Sequence, residues 1–470
     1  METGICILKT GLILYKGKNC VFKLKDFTLE VEEIENRDKI FIDDLDYMFG
    51  EAVNSKEELP KIFRGKDFEH GDEIIFNIRN MSIRSAKTYT FNLHSYVVFN
   101  KEESSFDSLK LSGDELNWFY NIRNAYSYSV IPSTGQAHFD IVPFENLEKT
   151  FQFNLDDELI SGELNITRKI SNMATSPLKL HTDLYLGFEE TKDYGKAHKL
   201  INVATKFLEF VTYRRNISIN HITLSKKDET KGKQIVVGEF YVNREKSNFA
   251  EKEETIREKM IDLPLIEGNI GCLFNKLQKK MIYLTHIPEN SVDKGRITPS
   301  RFVMITAGFE WQFRISYEEL SNKSEEASKT DEGKEELLAF LEQKIEETKG
   351  KKKKYFKGLK KRTLDTDMSL SSKINWALNE FSDILDLFIK NIYKTHQIKD
   401  LKYLEIAERI QNQRNNYAHG NIDKEINEMI AIDLNVLEWV YYAMVLNDIG
   451  MSRDNIQKAI NKLFSRGYGL

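Results

Sequence analysis

The chain has 470 residues, of which 41% are hydrophobic, 11% aromatic and 30% charged, the profile of a folded globular protein. Its 68 Lys and Arg against 73 Asp and Glu give a net charge of −5, which excludes a uniformly basic packaging protein but not a local basic patch. Three cysteines, Cys6, Cys20 and Cys272, are too few and too scattered for a disulfide framework or a zinc site, and no uninterrupted apolar run reaches membrane-spanning length. A cytoplasmic protein is expected.

The first 19 residues are apolar for only a few positions at a time and are broken by Lys9. They predict a strand pair, not a signal peptide. From there to about residue 250 the dominant period is two. Leu178, Leu180, Thr182, Leu184, Leu186 and Phe188 alternate with polar or small residues, as in a half-buried strand. Tyr89, Phe91 and Leu93 repeat that pattern, as do Phe27, Leu29 and Val31, and residues 235–242 form a denser β-branched and aromatic run. Many such strands predict an antiparallel sandwich or barrel. One helix interrupts them at about 196–213, where Ile201, Ala204, Phe207, Leu208 and Val211 share a face.

Beyond about residue 250 the period becomes 3.6. Thr298-Pro299 starts a helix carrying Phe302, Ile305, Phe309 and Phe313, and residues 321–333 look like a polar loop. Leu337, Leu338, Leu341 and Ile345 mark another helix. Residues 349–362, KGKKKKYFKGLKKR, hold nine basic residues and no acid, and read first as a solvated loop. A long helix is expected at 372–395, followed by helices at 401–419, 424–447 and 453–465, the last capped by Ser452. The expected fold is therefore α+β. A β-sandwich-like antiparallel domain covers 1–250, connecting helices 251–320, and an all-α bundle 321–470.

No phosphate-binding loop, dinucleotide fingerprint, His-Glu-x-x-His or Gly-x-Ser-x-Gly is present, so nothing points to an NTPase, a dehydrogenase, a zinc protease or a serine hydrolase. One segment remains: Arg414-Asn415-Asn416-Tyr417-Ala418-His419-Gly420. An Arg followed closely by a His also occurs at Arg64/His70 and Arg215/His221, but the latter lies in a strand pattern and the former in a polar stretch. The helix before Arg414 carries Tyr403, Ala407 and Ile410 on one stripe, and Arg414 and Tyr417 come next on it. Gly420 marks the helix stop, which puts His419 in the last turn, and Asn415, four residues earlier, is placed to hold its ring. Read alone, the pair is first an Arg snorkelling from the bundle edge with a surface His.

An Arg-Asn pair with a His four residues after the Asn, at the end of a helix in a C-terminal bundle, resembles the ribonuclease motif of the HEPN superfamily. Together with RFVMITAGFEWQFR at 301–314 and the β-rich first half, including SLKLSGDELNWFYN, the chain resembles the ApeA-type anti-phage proteins. Those join an N-terminal β-sandwich to a C-terminal HEPN ribonuclease domain. The resemblance implies Arg414, Asn415 and His419 as the catalytic set, a homodimer that brings two such sets together, and RNA as substrate, with tRNA a candidate. It also implies a role in abortive infection and a phage-encoded trigger protein as a further partner. The chemistry agrees, since RNA carries its own nucleophile in the 2′-hydroxyl. Cleavage then needs a proton-transfer group, which a His supplies near neutral pH, and a cation that grips phosphate, which an Arg supplies. No metal and no cofactor are expected. Lys351, Lys352, Lys353 and Lys354, with Tyr417, are the candidate RNA contacts, and Tyr355 and Phe356 are available for base stacking. Glu310 is either solvated or orients the Arg; Trp311 and Trp376 are expected in the core, and His94, His138 and His181 carry no expected role. The alternative is a HEPN module that binds RNA or nucleotide, or recognises phage, without cutting.

Overall fold

The computed structural model describes residues 8–34, 61–84, 88–100, 105–170, 178–228, 233–243, 249–318, 327–364, 369–398, 400–421 and 424–469. The chain divides into two compact units, Met1–Thr205 with Asn216–Ala250, and Lys206–Arg215 with Glu251–Leu470.

The first unit is built from antiparallel strands, as the period of two requires. β1 (Leu8–Tyr15) and β2 (Lys18–Lys25) form the expected hairpin, turned by Lys16 and Gly17 with φ of 50° and 75°. Positive φ at both positions matches the right-handed twist of the flanking strands. β3 (Thr28–Glu33), β4 (Ile62–Asp67), β5 (Glu73–Arg84) and β6 (Thr88–Phe99) follow. They pair in the order β6-β3-β2-β1-β4-β5, and β5 returns to β6, so six strands close a ring. Its interior is filled by fully buried Phe22, Leu24, Leu29, Val31, Phe76, Phe91 and Leu93. Closure brings backbones close: a Cβ on Gly11 would sit 2.0 Å from the Lys66 carbonyl oxygen, so only glycine fits there.

The sheet continues past β6 through β14 (Gln234–Val242), β13 (Ile219–Lys227), β7 (Phe106–Gly113), β12 (Leu178–Thr191), β11 (Glu158–Ile170) and β10 (Lys149–Leu155). β8 (Tyr126–Val130) and β9 (Ala137–Ile141) form a separate hairpin. One face of the continuation is apolar, with Leu109, Leu111, Ile166, Leu184, Leu186 and Leu224 buried. The start of the Tyr194–Thr212 helix packs in this unit, where Tyr194 meets the Phe99 ring at 5.5 Å and His198 meets Phe240 at 4.9 Å.

The opposite face is polar and holds a fully buried carboxylate. Asp183 receives Ser112 at 2.5 Å, Thr167 at 2.9 Å, Lys110 at 3.0 Å and His181 at 3.3 Å. Burial pushes its pKa up, but the hydrogen bonds from His181 and Ser112 and the Lys110 ammonium outweigh it and hold the carboxyl down at about 2. The folded value is thus below the ordinary value of 3.8, so the stabilisation is complete above pH 4 and is lost as pH falls toward 2. Acid should therefore remove about 2 kcal/mol of stability through this one group. Asp183→Asn should be less stable at pH 7 and show a shallower acid loss, as read by denaturant unfolding at successive pH values.

In the second unit Glu428–Asp448 is the central helix, with residues such as Trp439, Tyr442, Met444 and Leu446 buried. It is long and apolar enough to cross a membrane, but 83% of its most apolar window is buried inside the protein. Apolar character all round is what a central core helix requires. The Pro299–Ser316 helix starts as expected, with the Thr298 hydroxyl accepting from the Arg301 amide at 3.2 Å. Ser452 likewise caps Arg453–Leu463.

Three expectations change. The segment expected as one helix at 372–395 is two, Leu370–Glu380 and Ser382–Thr395, broken at Phe381, whose ring stays fully buried and so keeps the apolar stripe continuous across the break. The expected loop at 321–333 is helical from residue 327, within Ala327–Glu347; residues 319–326 lie outside the described residues. The lysine run is also helical, Gly350–Leu364, with Lys360 paired to Glu342 of the preceding helix. Lysine is a good helix former, and an acidic neighbour offsets its self-repulsion.

Candidate active site

The Tyr403–Ala418 helix is pinned along its length. Ile406, Ala407 and Ile410 are buried, and Arg409 grips Asp433 of the central helix through two bonds of 2.6 and 2.8 Å. Gln411 accepts from the Ser371 amide at 2.8 Å, and Gln413 donates to the Lys424 carbonyl at 2.8 Å. Its end is a Schellman turn: Asn421 donates to the Asn416 carbonyl at 2.9 Å and Gly420, at φ +78°, to the Tyr417 carbonyl at 3.1 Å. His419 is the capping residue, its amide bonded to the Asn415 carbonyl at 3.0 Å and its ring exposed. The glycine that the sequence marks as a stop thus fixes the backbone that carries His419.

Arg414 lies 3.5 Å from Glu310 of the Pro299–Ser316 helix, and its other terminal nitrogen donates to Asn415 Oδ1 at 3.3 Å. The side chains are 39% exposed for Arg414 and 31% for Glu310, so this ion pair is accessible to solvent. Glu310 is thus placed beside Arg414, where the second of its two readings requires it to be, and is also partly solvated. Asn415 turns toward Arg414, and among the described residues it makes no side-chain hydrogen bond to His419. The residue that sits squarely on the apolar stripe is Gln413, 7% exposed, with Arg414 at the stripe's edge. A step of three from Ile410, not four, continues the buried face.

The other candidates are dispersed. Tyr417 is half-buried and meets the Phe302 ring edge-on at 5.7 Å. Lys351, Lys352 and Lys354 are exposed on the Gly350–Leu364 helix, Lys353 is half-buried there, and Tyr355 is 64% exposed. Trp376 packs against Phe313 at 5.5 Å, as a core residue would. Trp311 does not: it is 38% exposed, with Arg314 at 4.7 Å over its ring. It belongs to a second face of the Pro299–Ser316 helix, where Met304, Ala307, Trp311 and Ile315 recur at helical spacing and are exposed or half-buried. The sequence shows this face as apolar but not its partial exposure, 40% at Met304 and 38% at Trp311. The rival histidine, His221, lies on β13 with Glu239 at 3.6 Å, in a strand as its pattern predicts.

A cleft of about 500 Å³ in this unit is lined by residues including Glu258, Asp262, Lys458 and Lys462, and neither Arg414 nor His419 contributes to it. Arg414 is half-buried and His419 exposed. They lie five positions apart, about 7.5 Å of helix rise.

A β-rich unit is followed by a helical unit that carries an arginine and a histidine at a capped helix end. Residues 304–455 of the helical unit match the family model described as Apea-like HEPN, a class that is generally nuclease-like. The match begins inside the Pro299–Ser316 helix and takes in Glu310, Arg414 and His419. No curated protein and no solved structure matches the chain.

Proposed function

We propose that this chain is a metal-independent endoribonuclease that acts in the cytoplasm in abortive-infection defence against phage. The observation that carries the reading is the set Arg414, Asn415 and His419 at the capped end of one helix within the matched HEPN segment. The 2′-hydroxyl of the substrate attacks the adjacent phosphorus while a histidine takes its proton. The 5′-oxygen leaves with a proton from a histidine, giving a 2′,3′-cyclic phosphate and a 5′-hydroxyl. Arg414 grips the non-bridging oxygens as charge builds on them. One arginine and one histidine supply little for both proton transfers, and a homodimer doubles each. The partly exposed apolar face of Met304, Ala307, Trp311 and Ile315 runs along the helix that holds Glu310, and a second copy seated there would bring two sets together. tRNA is the candidate substrate, and a phage-encoded protein acting on the β unit is the candidate trigger.

An RNA carrying a 2′-O-methyl group at its cut site should resist cleavage there, while the unmodified RNA is cut in EDTA. Gel analysis of the two substrates side by side tests this, and cleavage at the methylated position removes the mechanism.

Lys351, Lys352, Lys353 and Lys354 extend the site as backbone contacts in this reading, with Tyr417 beside the catalytic set. Replacing the four lysines with Gln should weaken RNA binding and flatten its salt dependence by about one unit of slope per lost phosphate contact, without moving the cut. An unchanged slope in filter-binding titrations makes the helix a solvated surface only.

A further inference from the structure

The hairpin of β8 and β9 stands apart from the twelve-stranded sheet and makes a two-stranded sheet of its own. It is held at its base, where the Val142 amide donates to the Ala125 carbonyl at 3.0 Å. Its tip is closed by the Ile131 amide, which donates to the Gln136 carbonyl at 2.9 Å. The register pairs Tyr126 with Ile141, Tyr128 with Phe139 and Val130 with Ala137, which puts these six residues on one face. Ser127, Ser129, His138 and Asp140 take the other. The ribbon is therefore amphipathic, and its apolar face is open: Tyr128 is 64% exposed, Phe139 57%, Ile141 57% and Val130 47%. Tyr126 and Phe139 stack at 5.0 Å, so neighbouring rings already form one aromatic surface. A lone two-stranded ribbon is marginal in water, and one with a bare apolar face calls for a cover.

We propose that this face docks against the same face of a second copy of this chain. The four exposed side chains present about 500 Å² of surface, so two copies together cover about 1,000 Å², which reaches the size of a specific interface. No charged side chain lies on the face, so two copies meet without repulsion, while a nucleic acid or a charged peptide finds no counter-charge there. Residues 121–148 hold one basic side chain besides His138, Arg123, against Asp140, Glu145 and Glu148. That balance disfavours an anionic lipid surface as the cover. Two-fold pairing lays the Tyr128–Phe139 pair of each copy over that of the other. It builds a two-layer core of four strands from two ribbons that are each marginal alone. This interface belongs to the β unit, is distinct from the helical face invoked for the composite site, and stands whether or not the chain cuts RNA.

The test uses the full chain with the photo-cross-linker p-benzoylphenylalanine in place of Phe139, mixed as light and isotopically heavy protein at micromolar concentration and irradiated. Mass spectrometry should find cross-links that join one heavy and one light chain, with both ends within residues 126–141. Tyr128→Asp should cut their yield at least tenfold with no drop in melting temperature, because that side chain is largely in solvent. Ser129→Asp, on the polar face, should leave the yield unchanged. The proposal is overturned if the cross-links stay within one chain or land outside the hairpin, or if Tyr128→Asp leaves their yield unchanged. It is equally overturned if Ser129→Asp lowers the yield as much, or if phosphatidylcholine vesicles carry the chain upward on flotation and abolish the cross-links.

Discussion

His419→Ala is expected to slow RNA cleavage by about 10²–10⁴-fold, the usual contribution of a positioned proton-transfer group. The fold should barely notice. The helix end is held by backbone bonds from His419, Gly420 and Asn421, none of which uses the imidazole, and the ring is exposed. Loss of an exposed side chain at such a place costs within about 1 kcal/mol. The control is His221→Ala, since that residue sits on β13 beside Glu239 and outside the matched domain. It should leave the cleavage rate unchanged in single-turnover assays.

Arg414→Ala should cost about 10²–10³-fold in the same assay, because it removes the cation that the proposed mechanism sets against developing phosphate charge. Lysine at this position should restore only part of the loss, since a point charge cannot reproduce two parallel bonds to a phosphate. Stability should move little in either variant. The Arg414–Glu310 contact is 3.5 Å long and about a third exposed on both sides, and pairs of that kind contribute about 0–1 kcal/mol. Glu310→Gln separates orientation from charge: it keeps a hydrogen-bond acceptor beside Arg414 and removes the carboxylate. A reduced kcat with little change in KM is expected from it.

The fold was legible where one period ran unbroken. Alternation at 178–188 located β12, and the Phe302–Phe313 stripe located its helix, because each spacing has one burial solution. Strand order was not legible, since the return of β5 to β6 depends on residues far apart in the chain. The break at Phe381 escaped because the apolar stripe passes through it without a Pro or Gly to mark it. Composition misled at 349–362, where a run of lysines reads as solvated and yet has good helix propensity. The site was legible at Gly420, whose stop signal placed His419 correctly, and at Arg414 to within one position. What pairs with Arg414 was only half legible: Glu310 stood out as a charge on an apolar helix, but its partner lies about a hundred residues away. The polar network at Asp183 was hidden by strict alternation, which assigns that residue to the solvent side and says nothing of the four side chains that cover it.

Cleavage of RNA by the helix-end pair Arg414 and His419 is the proposal on which the functional reading depends. It is tested most directly by measuring RNA cleavage in EDTA and melting temperature on the same preparations of the parent chain, His419→Ala, Arg414→Ala and His221→Ala. The expected result is 2′,3′-cyclic phosphate ends from the parent and from His221→Ala at the same rate, a rate lower by at least about 10²-fold from the other two, and four melting temperatures within a few degrees of one another. A His419→Ala chain that cuts at the parent rate, or that loses cleavage only together with its folded structure, contradicts it.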